Sequence, residues 1–507
     1  MVPGEFYALF LLLQQFPPFT FFSDCAMLYS VEGVYIMKAT LQNQKLQKSE
    51  ALATASVILT LAWPTMLEQM MQTAVQYIDT AMVGSLGTEA TAAVGATGSI
   101  SFLLFSTLLA LGIGFLSHIA RACGAGDQER ARRLTAQAVV VVLASGIFFT
   151  LVPLALSRQI PVWLQVDEAI REATTIYFVI VTLPMLPRAA TIIFGTVLRA
   201  AGDTRTPMKA GIIVNIVNVV LNFLLIYPTR SMSVLGLEFT MPGAGMGVAG
   251  AAAASAIAFL VGGIRITAAL WNHPLVSPRS MKIRPDLSLL KPCLITAWPN
   301  VLQRFGVAMG FVAFGAMVNS LGQAATAAHT IANTVEGAFY IPGFGMQAAA
   351  STLIGNAYGA RDSRMMRQYS TLFIPIEVGL MILSGACLFL TAPLLVGIFS
   401  DSPEVIGMGA TVLRMVAVSE PFYGFSIIVE GMLFGVGKTR APFIYNIIGM
   451  WCVRIVGTFL CTQVLGMGLI SVWACMIAHN MLIFFIYLIV YLRGSWNPLQ
   501  NTSNMTD

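Results

Sequence analysis

The side chains of this sequence that could bind a cation lie mostly inside long apolar stretches. The first stretch carries Glu68, Gln72 and Asp79. In a helix, eleven residues make three turns plus about 20°, so Glu68 and Asp79 share one face. Ionisable groups at membrane depth are costly and therefore mark functional candidates by default. The pattern predicts a cation-coupling stripe, and Pro64 on the same stretch predicts a hinge.

Three asparagines follow on the fifth apolar stretch. Asn215, Asn218 and Asn222 are spaced by three and four residues, which places them on one face of a helix. Amide oxygens are suitable ligands for hard cations. We therefore expect these residues to complete a cation-coupling site with Asp79. Hydrogen bonding between helices is the alternative interpretation.

The second half of the chain carries different acids. Glu336 lies in the eighth apolar stretch, and Glu420 and Glu430 lie in the tenth. The basic residues that could pair with them are Arg304, Arg414 and Arg454. Structural ion pairing is the favoured interpretation, and cation binding is the alternative.

Aromatic and methionine side chains could form a substrate cavity. Tyr77, Tyr340, Tyr423 and Met432 are the candidates. Aromatic faces attract organic cations, and methionine adapts to irregular apolar shapes. The pattern is compatible with a binding surface, but helix packing would produce the same pattern.

The elements that must position these residues are transmembrane helices. Of 507 residues, 57% are hydrophobic and 10% are charged, with a mean hydropathy of +0.78, whereas soluble domains carry about 25% charged residues. Backbone groups in lipid must be satisfied within the segment, which requires helices. The apolar stretches predict twelve spans at 53–84, 91–119, 134–156, 172–198, 208–228, 244–271, 288–320, 325–354, 369–399, 407–436, 441–465 and 468–492.

Composition argues against a catalytic or metal centre. The seven cysteines are scattered without a CxxC pair, and only four histidines are present, so a metal site lacks ligands. No phosphate-binding loop is visible, which disfavours direct use of ATP. We expect no enzyme activity, no metal and no cofactor other than a coupling ion, H⁺ or Na⁺.

Basic residues indicate the orientation of the spans. Arg130, Arg132 and Arg133 lie between spans 2 and 3, and Arg279, Lys282 and Arg284 lie between spans 6 and 7. The alternate loops are short and poor in lysine and arginine. This pattern predicts a multi-pass protein of the bacterial inner membrane with both termini in the cytoplasm.

The two halves of the sequence repeat each other at a constant offset of 235 residues. The matching segments are 62–64 with 297–299, 81–87 with 316–322, 90–93 with 325–328, 124–127 with 359–362, and 202–207 with 437–442. A register held through loops indicates duplication. Because each half has six spans, both halves share one orientation, and a pseudo-two-fold axis along the membrane normal should relate them.

The repeat defines the predicted organisation. We expect an N-terminal extension at 1–50, an N-lobe at 51–271, a cytoplasmic linker at 272–287, a C-lobe at 288–493 and a cytoplasmic tail at 494–507. Residues 1–37 resemble neither a signal peptide nor a span, so we expect either an interfacial segment or, as the favoured alternative, a natural start at Met37.

Taken together, these motifs resemble the multidrug and toxic compound extrusion (MATE) family, and within it the branch of the DNA-damage-inducible F proteins. The segments that carry the resemblance are 64–72, 84–87, 124–127, 198–207, 359–362 and 437–442, with Asp79, Asn215, Asn218, Asn222 and Glu336. The resemblance implies two six-helix lobes that export amphipathic, often cationic compounds against entering protons or sodium ions.

The resemblance also implies roles for single residues. It places Asp79 and Pro64 in the cation site of the first lobe. Many relatives have an aspartate where this chain has Asn222, so a relay between two aspartates is not expected here. Relatives that couple sodium in the second lobe use acids where this chain has Val307 and Tyr423.

We therefore predict a monomeric secondary antiporter that binds small organic substrates and membrane lipids rather than nucleic acid. The alternative within the same superfamily is a flippase for lipid-linked oligosaccharides or an exporter of polysaccharides. A flippase should have a strongly cationic cavity, and few arginines and lysines are embedded here. An intramembrane enzyme and a channel are further alternatives.

Overall fold

The chain folds into long helices joined by short turns. The computed structural model describes residues 31–234 and 237–500. The long helices, numbered in chain order as spans 1 to 12, are Val31–Gly84, Thr88–Gly124, Gln128–Ala155, the pair Glu168–Thr182 and Met185–Ala200, Arg205–Leu225, Gly247–Trp271, Leu287–Asn319, Gln323–Gly359, Ser363–Gly397, Pro403–Gly435, Arg440–Val464 and Leu469–Leu492. A short helix, Gln159–Trp163, follows span 3.

The spans have the length and composition of membrane helices. Within the described residues, ten helices are long and apolar enough to cross a membrane, and the bent pair of span 4 makes an eleventh. Span 8, with 37 residues, is the remaining long helix. Large apolar side chains on the outer surfaces of the helices are exposed, such as Leu383, Leu390 and Leu394 of span 9. A surface of this kind suits a lipid environment.

Two features differ from the predicted set of spans. Span 4 is not one straight helix, because the chain bends by 48° between Thr182 and Met185, next to Pro184, which cannot continue the backbone hydrogen bonding. The second difference lies between spans 5 and 6, where the antiparallel strands β1 (Pro228–Val234) and β2 (Leu237–Ala244) form a hairpin that the sequence analysis did not predict. Span 6 consequently begins at Gly247.

The structure repeats with the same offset as the sequence. Spans 2 and 8 both begin and end 235 residues apart, and spans 4 and 10 end at Ala200 and Gly435. Spans 6 and 12 lose this register because the hairpin is present in the first half, whereas only residues 465–468 join spans 11 and 12. The fold consists of twelve transmembrane helices in two lobes of six.

The first helix of each lobe also packs against the other lobe. Ile58 and Ala62 of span 1 belong to the apolar core of the C-lobe, together with Met346 and Tyr487. Cys293 of span 7 belongs to the core of the N-lobe. Spans 1 and 7 therefore join the two lobes physically.

The lobes are in close contact at one end of the bundle. We call this the basic end, because arginine or lysine residues lie in or beside its turns at 125–127, 201–204, 360–362 and 436–439 and within the segment 272–286. There, a Cβ added at Gly124 would overlap the Asn356 carbonyl, and one added at Gly359 would overlap the Arg121 carbonyl. Nearer the opposite end of the same two helices, a Cβ added at Gly95 or Gly337 would meet no atom of a neighbouring element within 4 Å. The two helices thus touch at the basic end.

Candidate ion and substrate sites

The predicted cation residues of the N-lobe form a hydrogen-bonded group. Asn222 donates from Nδ2 to Asp79 Oδ1 at 2.5 Å, and the same amide lies 3.3 Å from Asn218 Oδ1. Asn218 in turn donates to Ser255 Oγ of span 6 at 3.1 Å. Spacings of three and four residues put the asparagines of span 5 on one face, as the sequence indicates. The carboxylate of span 1 is thereby tied to spans 5 and 6.

Two polar atoms of this group lack a partner within the described part of the chain. They are Asn222 Oδ1 and Asn215 Nδ2. Asn222 is 1% exposed, so its free carbonyl oxygen is shielded from water. A buried acceptor without a donor costs free energy unless something else satisfies it. An oxygen beside a carboxylate can be satisfied by a bound cation, for which both atoms are suitable ligands.

Glu68 has a different environment from Asp79. Its two carboxylate oxygens lie 3.1 and 3.2 Å from Arg199 Nη1, and both side chains are nearly buried, with 12% and 13% exposure. Arg199 also donates to Thr196 Oγ1 at 3.1 Å. Arg199 lies one residue beyond the predicted end of span 4 at 198, but it is still helical because span 4 continues to Ala200. Glu68 is therefore an ion-paired residue about 16 Å along the helix from Asp79.

The hinge candidate Pro64 lies within a continuous helix at a contact between the lobes. Thr65 Oγ1 is 2.8 Å from Ala62 O of its own helix and 2.8 Å from Gly345 O of span 8. Because one hydroxyl donates one proton, Thr65 bonds either its own helix or the opposite lobe. Gln72 is exposed. Span 1 thus joins Asp79 in the N-lobe to a contact with the C-lobe.

The C-lobe has a related polar group at the position equivalent to Glu68. Glu430 of span 10 accepts from Gln303 at 3.0 Å, Gln347 at 2.9 Å and Asn446 at 3.0 Å. Gln303 is the repeat of Glu68, and Asn446 is the repeat of Gly211, where an added Cβ would lie 3.6 Å from Glu68 Cγ. In the N-lobe the acid of this group is Glu68 on the first span, whereas in the C-lobe it is Glu430 on the fourth span of the lobe.

Three further acids are buried together in the C-lobe. Glu336, Glu377 and Glu420 are 6%, 0% and 2% exposed, and the charge of Glu420 interacts with those of the other two. Both carboxylate oxygens of Glu377 and Oε2 of Glu420 lack a hydrogen-bond partner in the described residues. The sequence analysis missed Glu377, although a lone acid within an apolar stretch could have revealed it.

The expected ion pairs of the C-lobe acids are not formed as direct contacts. The ion pairs within 4.0 Å in the described part of the chain include Arg133–Glu129, Arg171–Glu168 and Arg199–Glu68, and Glu336, Glu420 and Glu430 take part in none of these. Arg304 acts on Glu430, and Arg454 on Glu336, only over longer distances. Arg414 instead donates to the Phe389 carbonyl at 3.4 Å.

Arg454 lies in the part of the C-lobe that corresponds to the hydrogen-bonded group of Asp79 and the asparagines in the N-lobe. Its guanidinium lies 4.1 Å from the ring centre of Phe314, the repeat of Asp79, and donates to Met476 Sδ at 3.1 Å. It sits in a π-helical turn of span 11, Gly449–Ile455, and such turns are frequent at functional sites. A carboxylate with amides in one lobe corresponds to a guanidinium with aromatic rings in the other.

The proposed cavity residues differ in their placement. Tyr340 and Tyr423 are half-buried, pack edge to face at 5.7 Å and lie close enough to Glu336 and Glu420 for their charges to interact. Tyr77 is 44% exposed and donates to the Thr334 carbonyl of span 8 at 3.0 Å. Met432 is fully buried in the C-lobe core, which agrees with the alternative interpretation of helix packing.

Comparison with known proteins gives a family match in both halves. The MatE family model matches residues 64–224 and 299–460, which together exceed half the chain and repeat at nearly the same offset. A probable multidrug resistance protein NorM from Thermotoga maritima is 26% identical over 91% of this chain and 97% of its own length. A second probable NorM, from Pseudomonas syringae, is 29% identical over 82% of this chain and 90% of its own length.

Solved structures share the fold. A MATE crystal structure in complex with MaL6 superposes with a TM-score of 0.81 at 22% identity, covering 88% of this chain and 97% of its own. An outward-facing MATE transporter of the MOP superfamily gives 0.80 at 22% identity, with the same coverage.

Proposed function

The chain belongs to the MatE family, and we propose from this premise that it is a secondary antiporter that exports amphipathic organic cations in exchange for protons or sodium ions. The curated relatives are named as probable multidrug resistance proteins, which favours export of small organic compounds over transport of lipid-linked sugars. The proposed location is the bacterial inner membrane, with both termini in the cytoplasm, as the distribution of basic residues indicates.

The observation that carries the ion-coupling proposal is the contact between Asp79 and Asn222. The carboxylate has one strong partner at 2.5 Å, and a buried, unpartnered amide oxygen belongs to the same partner. An entering cation at Asp79 would weaken or reorganise this contact. Asp79 of span 1 is linked through the asparagines of span 5 to Ser255 of span 6. A cation bound at Asp79 would therefore change the position of span 1 relative to spans 5 and 6.

Span 1 can transmit that change to the other lobe. The C-terminal part of span 1 holds Asp79. The part before it in the chain packs into the C-lobe through Ala62 and the Thr65–Gly345 contact. Rearrangement at one end of a helix therefore alters contacts between lobes at the other end. Rocking of two pseudo-symmetric lobes gives alternating access in transporters built from repeats.

The proposed substrate surface is the aromatic and acidic region of the C-lobe. Tyr340 and Tyr423 present π faces, and Glu336 and Glu420 supply negative charge nearby. Organic cations are attracted to both kinds of group. Drug binding here would place substrate in the lobe opposite to Asp79, so coupling would pass between lobes through spans 1 and 7.

The decisive experiment is efflux from proteoliposomes loaded with a fluorescent organic cation. A pH gradient and a sodium gradient are imposed separately on the wild type and on Asp79→Asn. The matched control is Asp401→Asn, an exposed acid between spans 9 and 10. Asparagine at 79 can still accept from Asn222, so folding should persist while gradient-driven efflux is lost. Efflux by Asp79→Asn at the wild-type rate under both gradients would contradict the proposal.

A further inference from the structure

A basic pocket lies at the junction of the two lobes, at the basic end of the bundle. It has a volume of about 700 Å³. Its walls include Arg121, Arg130 and Asp127 from the N-lobe, and Tyr358 and Arg361 from the C-lobe. None of these residues belongs to the ion or substrate groups described above. The pocket is therefore a separate feature with its own chemistry.

The charge of the pocket favours an anion. Three guanidinium groups face one carboxylate, and that carboxylate is already engaged, because Asp127 Oδ1 accepts from the backbone N–H of Arg130 at 2.9 Å as the cap of span 3. Arg121 and Arg130 lie close enough to repel each other. Like charges held together in a cavity are relieved by a bound counter-charge.

Arg121 is held ready for such a ligand by both lobes. Its Nε and Nη2 donate to Ser117 O at 3.1 Å and Ser117 Oγ at 3.2 Å, and its guanidinium stacks on Tyr358 at 5.2 Å. A Cβ at Gly437, in the turn after span 10, would overlap Arg121 Nη2. Gly437 has a positive φ of 75°, which glycine adopts readily. Because glycine has no Cβ, the guanidinium of Arg121 can occupy this space.

We propose that this pocket binds a phosphate-bearing anion and that the bound anion stabilises contact between the lobes at the basic end. Arginine clusters match phosphate oxygens through charge-assisted, bidentate hydrogen bonds. Basic pockets between membrane helices on the cytoplasmic side bind phospholipid headgroups. The same chemistry would accept a soluble phosphate compound.

The conformational consequence follows from the position of the walls. Arg121 and Arg130 move with one lobe, and Tyr358 and Arg361 move with the other. Separation of the lobes at the basic end would divide the pocket and lose the anion. A ligand that binds one state only shifts the equilibrium toward that state, so the anion would hold this end closed whether or not a transport gradient exists.

The test measures binding and conformation with two probes at matched ionic strength. Inorganic pyrophosphate is titrated into protein in detergent, and protein in phosphatidylcholine nanodiscs is compared with and without phosphatidylglycerol. Binding is followed by thermal stabilisation. Spin labels at positions 125 and 360, one in each lobe, report the distance across the pocket. The variants are Arg130→Gln and Arg361→Gln, both exposed positions.

The matched control is Arg133→Gln. Arg133 lies one turn further along span 3, pairs with Glu129 and does not line the pocket. Loss of one charge-assisted contact should weaken binding on the order of tenfold or more in the pocket variants, while the control retains wild-type affinity. A wild-type response to pyrophosphate identifies a soluble ligand, and a response only to phosphatidylglycerol identifies a headgroup.

Two outcomes would overturn the proposal. One is equal weakening by all three substitutions, which would mean binding to general surface charge. The other is a wild-type protein whose stability and label distance respond to neither probe. The wild type alone can give this second result, which therefore does not require either variant to fold. Neither readout depends on antiport, so failure of the transport proposal would leave the result intact.

Discussion

Gly124 and Gly359 are the last residues of spans 2 and 8, and alanine at either position should drive the lobes apart at the basic end. The contact is reciprocal. A methyl group at Gly124 would lie 2.6 Å from the Asn356 carbonyl carbon, and one at Gly359 would lie 2.7 Å from the Arg121 carbonyl carbon. Both obstacles are backbone atoms of the opposite lobe, which cannot move aside by changing a rotamer.

The size of the effect follows from the overlap. Carbon atoms in contact prefer about 3.5–4.0 Å, so the helices must part by roughly an ångström. Overpacking of this kind costs about 1–3 kcal/mol, and about 1.4 kcal/mol changes an equilibrium constant tenfold. The population with the basic end closed should therefore fall about 5- to 140-fold relative to the open one. Adding the second alanine should increase the separation by less than the first did.

The assay is a distance measurement between spin labels at positions 125 and 360, in a background whose seven native cysteines are replaced. The chain offers matched controls on the same two helices. Gly95→Ala and Gly337→Ala make the same chemical change where no atom lies within 4 Å. Alanine raises helix propensity by up to about 1 kcal/mol over glycine, and the controls share that gain, so the difference between the pairs isolates the contact.

The expected result is a longer distance for Gly124→Ala and Gly359→Ala and an unchanged distance for both controls. Identical distance distributions for Gly124→Ala and Gly95→Ala would refute the reasoning, because the contact between carbonyl and glycine would then not hold the lobes together.

Further predictions concern the ion pair, the buried acids and a helix cap. Arg199→Met should destabilise the protein by about 3 kcal/mol by leaving Glu68 unpaired, and adding Glu68→Met should recover most of that loss in thermal unfolding; no recovery would mean that the pair is not coupled. Glu377→Met should raise the melting temperature, because an unpartnered buried polar group costs about 1–3 kcal/mol. Glu430→Met should lower the melting temperature, because three amides lose their acceptor. A lower melting temperature in both variants would contradict this expectation. Hydrogen bonds from Ser288 hold the pKa of Asp286, the cap of span 7, below its usual value. The stabilisation of the helix by this cap is therefore present above about pH 4 and is lost as the pH falls through the lowered pKa. Hydrogen exchange at the start of span 7 should show this loss in the wild type and not in Asp286→Ala.

Much of the fold could be predicted because lipid leaves the chain few options. An apolar stretch of about 20 residues has to be a helix, and most predicted ends agree with the structure within a few residues. The capping roles of Asp127 and Asp362 were also predictable, since an Asp before a helix accepts from its first turn, and both side chains do so. The hairpin at 228–244 was missed because its strands adjoin apolar spans and carry no alternating pattern strong enough to separate them.

The sites were less predictable because partners come from distant parts of the chain. The grouping of Asp79 with Asn222 followed from helical spacing and the family resemblance. The pairing of Glu68 with Arg199 did not, because it depends on how far span 4 continues and on which face it presents. Glu377 is a single acid in its apolar stretch, and the sequence does not indicate a partner for it. Only the packing of spans 9 and 10 shows that it adjoins Glu420. The predicted domain boundaries and Met37 remain predictions, and residues 1–30 lie outside the described residues.

The exchange of first helices has a consequence for how the polypeptide is made. Ile58 and Ala62 emerge from the ribosome early, yet the core that receives them includes Ile483 and Tyr487 of the last span. Until span 12 has been inserted, Ile58 and Ala62 of span 1 cannot reach their final packing partners. An N-lobe synthesised alone would expose these two residues to lipid. Biogenesis therefore ends with a docking step that neither lobe can complete without the other, and truncation near the C-terminus should damage the first helix as much as the last.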